Sequence, residues 1–250
     1  MGIVWHKTVD GKQYEVRSAG QTRRLYTDGV FHTQYNPNKT LTSNVWDLLS
    51  LPSFFLSSKN IRRILVLGVG GGAVLRQFLQ WYPEADITGV ELDKMHIRIA
   101  KRFFGLTNKR VTLIHADALD WVSCYRGLPF DIIIDDLFGE IEGEPNRVVD
   151  ANLKWIKQLN RLLTAHGMLV MNFTESKDLR NCAVLQNESA RNIFKAAYRL
   201  MTPLYENHIG VFLKQTSTAN EWKQRIKQHD VGSEFEQCRD KYQLRKLKLG

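Results

Sequence analysis

Apolar residues in the middle of this chain come in short unbroken runs, each followed by a stretch in which they recur every three or four positions. Ile64 to Leu67 is the first run; it breaks at Gly68, and helical spacing resumes at Val74, Leu75, Phe78 and Leu79. The same rhythm predicts strands at 62–67, 86–91, 110–114, 130–135 and 166–173, with helices at 72–81, 93–104, 117–124 and 150–163. Such alternation predicts an α/β fold with a mainly parallel, doubly wound sheet. Residues 187–200 read as a further helix, and 202–214 as a terminal antiparallel pair turning at Asn207-His208. Upstream, residues 13–34 alternate like strands, with Asp28-Gly29 where a tight hairpin turn wants them. Residues 41–56 carry helical spacing until Pro52 ends or bends the helix. From Ser217 the chain is charged and amphipathic and reads as one or two helices or a mobile tail. The expected divisions are a small N-terminal β-hairpin unit with its linking helix (1–56), a ligand-binding α/β part (57–216) and the tail (217–250).

In a parallel sheet, ligands sit outside the carboxyl ends of the strands. The first strand ends in "GVGGGAV", where Gly68, Gly70, Gly71 and Gly72 remove the β-carbons that would keep backbone N–H groups from a ligand. Read alone, the stretch also satisfies a G-x-G-x-x-A dinucleotide pattern with Glu91 in the ribose position, and a turn needed only for close helix packing is a third reading. Acids at the next strand tips narrow the choice. "TGVELD" puts Glu91 where it can accept the two ribose hydroxyls of an adenosine, and "HADALDW" puts Asp117 and Ala118 within range of an adenine amino group. "FDIIIDD" brings Asp135 and Asp136 to the same rim. No Lys follows the glycines as a phosphate-binding loop requires, so the set favours an S-adenosyl compound over a nucleotide. Asp93 and Asp117 also precede helices and can serve as N-caps.

Composition adds few constraints. The net charge of +9 favours an acidic partner, but the Lys and Arg residues are scattered and no nucleic-acid motif accompanies them, so nucleic acid is not expected. Cys124, Cys182 and Cys238 form no CxxC pattern and are expected as reduced thiols. The seven histidines show no HxH or HxxxH spacing, so no metal centre is expected. No run reaches the roughly 18 apolar residues of a membrane span, and "MGIVWHKTVD" has no signal-peptide core, so the expected place is the cytoplasm.

Together, "ILVLGVGGGAVLRQF", "VELD", "HADALDWV", "FDIIIDD" and "LLTAHGMLVMNF" resemble the spermidine synthase family and its methyltransferase-like relatives. "RRLYTDGVFHT" is similar to the hairpin that precedes the catalytic part in that family. The resemblance implies the Rossmann-like class I fold of S-adenosylmethionine-dependent methyltransferases, an S-adenosylmethionine or decarboxylated S-adenosylmethionine donor, and a homodimer formed through the N-terminal region. It covers about residues 13 to 214.

Three places depart from the family pattern. Its loop carboxylate falls on Gly71, the second acid after its fourth strand falls on Phe138, and its Tyr-His-Glu is replaced by "SNVW" at 43–46. His32 stands where the hairpin usually has Gln. Without a carboxylate at Gly71, the carboxylate of intact S-adenosylmethionine meets no like charge there. The expectation is therefore methyl transfer to an amine, either a small molecule or a protein lysine, with Asp135 or Asp136 touching the reacting nitrogen. Aminopropyl transfer to a diamine, a non-catalytic nucleoside-binding protein and an NAD-dependent oxidoreductase are the competing readings. The loop "DDLFGEIEGEP" adds Glu140, Glu142 and Glu144, which would attract a cationic acceptor.

Overall fold

Four strands open the chain in a simple antiparallel meander: β1 (Gly2–Val9), β2 (Lys12–Ala19), β3 (Thr22–Thr27) and β4 (Val30–Tyr35). The computed structural model describes residues 2–141 and 144–249, without the side chains at 140–145. Asp28 and Gly29 both have positive φ (49° and 83°), the conformation of a two-residue turn whose twist matches that of paired strands. The expected hairpin over 13–34 is thus present, and β1 extends it by a strand whose exposed pattern hid it from a search for buried alternation.

A linking helix α1 (Val45–Ser50) runs into a 3-10 turn at Leu51–Phe55, with Pro52 in its first turn. The helix starts later than its apolar spacing suggests because Asp47 folds back, accepting the N–H groups of Thr42 (2.9 Å) and Ser43 (2.6 Å). The same buried carboxylate accepts Gln77 Nε2 (2.6 Å) and the Tyr242 hydroxyl (2.8 Å).

From here the sheet-and-helix rhythm is close to expectation. The elements are β5 (Arg63–Leu67), α2 (Ala73–Trp81), β6 (Asp86–Glu91), α3 (Lys94–Phe103), β7 (Val111–His115), α4 (Ala118–Cys124) and β8 (Phe130–Asp135). A hairpin of β9 (Phe138–Ile141) and β10 (Glu144–Arg147) interrupts the order before α5 (Leu153–Leu162) and β11 (Leu163–Phe173). Short helices α6 (Ser176–Asn181), α7 (Ala183–Gln186) and α8 (Glu188–Arg191) then lead to β12 (Ala196–Met201) and β13 (His208–Leu213). The tail supplies α9 (Ala219–Lys227), α10 (Gly232–Cys238) and β14 (Gln243–Leu247).

The eight strands lie in the order β14-β12-β13-β11-β8-β5-β6-β7. Neighbours from β11 to β7 pair in parallel, while β13, β12 and β14 pair antiparallel. This is the expected doubly wound α/β architecture with a separate N-terminal sheet. One apolar layer holds Ile64, Val66, Phe78, Tyr198 and Trp222, and the other holds Leu65, Leu67, Trp155, Leu169 and Phe212. The meander packs Tyr14, Val16 and Leu25 against Met95, Ile99 and Phe104 of α3 and the turn after it.

Two expectations are corrected. Residues 187–200 are not one helix: a single turn at Glu188–Arg191 gives way to β12. Ala196, Tyr198 and Leu200 face one core layer and Ala197 the other, and a strand buried on both faces has an apolar run that spacing cannot tell from a helix. The antiparallel pair is accordingly 196–201 with 208–213, and Asn207-His208 lies at its end, not at its centre. In the tail, the capping box of Thr218 and Glu221 starts α9, Trp222 Nε1 donates to the Leu51 carbonyl (2.9 Å), and β14 adds an edge strand beyond the expected helices.

Asp47 joins the linking helix, α2 and the tail through its four donors. We expect Asp47→Ala to lower the unfolding free energy by about 3 kcal/mol, because buried donors lose their acceptor. Urea denaturation checks this, and a loss below about 1 kcal/mol would mean that the donors find other partners on relaxation.

Candidate active site at the carboxyl ends of the parallel strands

Backbone crowding shapes the glycine turn after β5. A β-carbon on Gly68, at φ 83°, would lie 2.2 Å from the Asp136 carbonyl oxygen, and one on Gly72, at φ 87°, would lie 2.0 Å from Leu106 Cδ1. Two of the four glycines therefore answer to packing, as the plainest reading of the motif allowed. The other two answer to the N-terminal sheet. Strand β4 lies on the turn, so that β-carbons on Gly70 and Gly71 would meet the His32 carbonyl oxygen (3.0 Å) and the Thr33 side chain (2.9 Å). Gly71 N–H donates to Thr33 Oγ1 (2.7 Å). The place of the missing loop carboxylate is thus filled from another strand.

Glu91, at the tip of β6, closes the turn from the other side. Its Oε2 accepts the amides of Val69 (2.9 Å) and Gly70 (2.8 Å), and its Oε1 accepts that of Asp93 (2.9 Å). Burial works to raise its pKa, but the His96 ring and these amides outweigh burial and hold it below the usual carboxylate range. His96 Nδ1 stands 3.8 Å from Oε1, while its Nε2 meets Thr27 Oγ1 at 2.8 Å. Asp93 serves as the α3 cap, accepting Met95 N (2.7 Å) and His96 N (3.3 Å) on one oxygen and the Tyr14 hydroxyl (2.7 Å) on the other. His32 packs its ring 4.8 Å from that of His96, and burial followed by the His96 charge lowers its pKa to about 4.

Asp117 caps α4 through Oδ1, which accepts Leu119 N (2.7 Å) and Asp120 N (3.3 Å), with Ala118 buried as the first helical residue. Its carboxylate is exposed, and Oδ2 has no protein partner among the described residues. Capping and ligand contact are compatible, because they use different oxygens.

The two acids at the tip of β8 differ in kind. Asp135 is fully enclosed, and its Oδ2 accepts Arg147 Nη2 and Trp155 Nε1, both at 2.8 Å. Of the two acids expected at the reacting amine, Asp135 is turned by the alternating strand into the α5 layer, where it pairs with Arg147. Asp136 points to the opposite face and stays partly exposed, with Oδ1 accepting Asn172 Nδ2 (2.8 Å). Burial and the neighbouring Asp135 charge push its pKa up to about 6 against the opposing Asn172 bond. Phe138 begins β9, and the Arg147 guanidinium lies 6.0 Å from its ring centroid. Glu140, Glu142 and Glu144 lie outside the described side chains.

Arg147, Trp155 and Asn172 were not singled out as functional from the sequence. Asn172 had a usable signal, since it ends a parallel strand as the acids do. Arg147 had none, because its place depends on how the β9–β10 hairpin folds back. Among the described residues, no group of three His, Cys, Asp or Glu side chains converges to hold a metal ion.

Comparison with known proteins gives a consistent result. The profile of the "Spermine/spermidine synthase domain" matches residues 47–224. Polyamine aminopropyltransferase 2 of Caldanaerobacter subterraneus is 28% identical over 158 residues, covering 60% of this chain and 50% of the relative. The polyamine aminopropyltransferase of Clostridioides difficile is 30% identical over 167 residues, covering 61% and 54%. The chain thus spans about half the length of these relatives. Among solved structures, a probable spermidine synthase from Corynebacterium glutamicum superposes with a TM-score of 0.75 at 18% identity, covering 98% of this chain and 91% of the other. Human methyltransferase-like protein 13 in complex with SAH gives 0.62 at 18% identity, covering 73% and 89%. At these identities the two structures speak for the fold alone.

The depressed His32 pKa sets a sign for acid stability. The unfolded chain takes up a proton near pH 6.5 that the folded chain refuses until about pH 4, so the folded state loses stability as pH falls through that window. We expect unfolding free energies measured from pH 7 to 4 to move in favour of His32→Gln over the wild type. Parallel curves for the two proteins would refute the assignment.

Proposed function

Because the chain belongs to the spermine/spermidine synthase family, we propose that it moves an aminopropyl group from decarboxylated S-adenosylmethionine to the nitrogen of a small amine. The expectation of methyl transfer as the first reading gives way here, since the relatives that match are aminopropyltransferases by name. The observation that carries the proposal is the partly exposed Asp136 beside the glycine turn, with a pKa raised to about 6.

The donor is a substrate, and the residues fit it. In this reading Glu91, at the tip of β6, takes the ribose hydroxyls through Oε1, which also accepts the Asp93 amide, and the exposed Asp117 accepts an adenine N–H on Oδ2, the oxygen its capping bonds leave unused. These contacts orient the sulfonium carbon toward Asp136. The acceptor nitrogen attacks that carbon as the carbon–sulfur bond breaks, the electron pair returns to sulfur, and the thioether nucleoside leaves. Asp136 Oδ2 takes the proton from the nitrogen, while Asn172 holds Oδ1. Positioning supplies most of the acceleration in such an in-line displacement. Asp135 acts through charge, raising the proton affinity of Asp136.

Methyl transfer is kept as a second reading for one reason: Thr33 fills the space where the family's loop carboxylate would stand, so nothing at Gly71 repels the carboxylate of the intact donor. On either reading the acceptor is a small-molecule amine before a protein lysine. Among the described residues no helix is long and apolar enough to cross a membrane, and we place the reaction in the cytoplasm. Dimerisation through the N-terminal sheet rests on the family resemblance; β1 does leave Ile3 (56%) and Val4 (53%) exposed.

Two measurements test this reading. In calorimetry against S-adenosylmethionine, its decarboxylated form and methylthioadenosine, we expect the decarboxylated donor to bind most tightly. A tenfold preference for the intact donor, about 1.4 kcal/mol, would return the assignment to methyl transfer, and tight binding without turnover would leave a nucleoside-binding protein. For the transfer step, the rate should rise with pH through about 6 as Asp136 loses its proton. Asp136→Asn should remove that limb and lower kcat by about 10²-fold or more; a variant with an unchanged pH profile would remove Asp136 from the chemistry.

A further inference from the structure

A groove of about 370 Å³ lies between α6 and the turn joining β12 to β13. It adjoins the candidate site through a short relay. Asn207, next to the lining residues Glu206 and His208, donates to Asn172 Oδ1 (3.0 Å), and Asn172 donates to Asp136 (2.8 Å). The walls carry both signs of charge. Glu175 and Glu206 share the lining with Lys177 and Arg180, and no two of these four form an ion pair among the described residues.

Two more cations stand on β12, which lends Met201 to the groove, and on its neighbour β14. Arg199 of β12 lies directly opposite Arg245 of β14 in the ladder, an arrangement that costs stability when both residues are charged. Among the described residues neither has a carboxylate partner, and the buried Arg199 Nε has no hydrogen-bond partner. His208 Nδ1, in the groove lining, is likewise buried without a partner. Burial, followed by the charges of Arg199 and Arg180, lowers the His208 pKa, and Arg180 itself lines the groove.

A plain diamine makes no use of these cations. We propose that the groove binds an anionic group, carboxylate or phosphate, borne by the same acceptor whose amine faces Asp136. Arg180 reads that anion with Arg199 behind it, and Glu175 and Glu206 meet any second ammonium. The acceptor is then an amine that carries a negative charge. This inference rests on the transferase reading above and narrows its substrate class.

Matched pairs of probes test it. Ornithine differs from putrescine by one carboxylate, and phosphoethanolamine differs from ethanolamine by one phosphate. In calorimetry on the full chain, we expect one anionic probe to bind at least about tenfold more tightly than its parent amine, the usual reach of a charge-assisted pair; which pair shows the gap distinguishes carboxylate from phosphate. Arg180→Gln and Arg199→Gln should each collapse the ratio toward one, and Arg180→Lys should restore part of it, with thermal melting confirming that each variant folds. Equal or weaker binding of both anionic probes by the wild type overturns the proposal. Donor binding on the same preparation separates the two readings: a protein that binds S-adenosyl ligands and prefers the parent amines has lost only this inference, whereas one that binds no S-adenosyl ligand loses the transferase reading and this one with it.

Discussion

Glu91 gathers three backbone amides onto one buried carboxylate, and the shape of the site depends on it. The amides of Val69 and Gly70 fix the turn after β5, and that of Asp93 fixes the start of α3. A buried carboxylate with fewer donors would protonate, because desolvation disfavours its charge. Here the hydrogen bonds win, and the charge that holds the turn is kept. The same residue reaches the N-terminal sheet through His96 and Thr27, so the glycine turn, the strand tip and the meander behave as one unit.

The meander does more than decorate the sheet. Thr33 takes the Gly71 amide, and β4 covers one face of the turn. Tyr14 takes the free oxygen of the cap residue Asp93. These contacts come from strands roughly forty to eighty residues away in sequence, which is why no local motif announces them. A second brace runs from the other end of the chain, where Tyr242 and Gln77 converge on Asp47 and Trp222 holds the 3-10 turn. The described tail from α9 to β14 is therefore part of the folded unit, and its amphipathic pattern is the pattern of a covering layer.

At the tip of β8, adjacent acids have opposite fates. A strand turns successive side chains to opposite faces. Asp135 enters the α5 layer, where only Arg147 and Trp155 make its burial tolerable, because an unpaired buried charge is costly. Asp136 enters the rim with one hydrogen-bonding partner and a proton affinity near neutrality. Two carboxylates one residue apart thus separate into an anchor and a proton acceptor.

The parallel core was legible along the chain, since the strands and helices from residue 63 to 173, the β9–β10 hairpin apart, impose their own periodicity and the strand tips are marked by glycine or acid. The glycine turn, Glu91 and Asp117 could be named for the same reason: they occupy positions that local spacing defines. Strand β12 was misread because burial on both faces erases the alternation that marks a strand, and β1 was missed because exposure on both faces does the same. What only the tertiary structure decided was which partners each charge meets. Arg147 against Asp135, Thr33 in the space beside Gly71, and Arg199 opposite Arg245 all depend on distant segments folding together. Local periodicity says where a side chain lies along its element, but the energy of a charge is set by whatever the rest of the chain brings within a few ångströms of it.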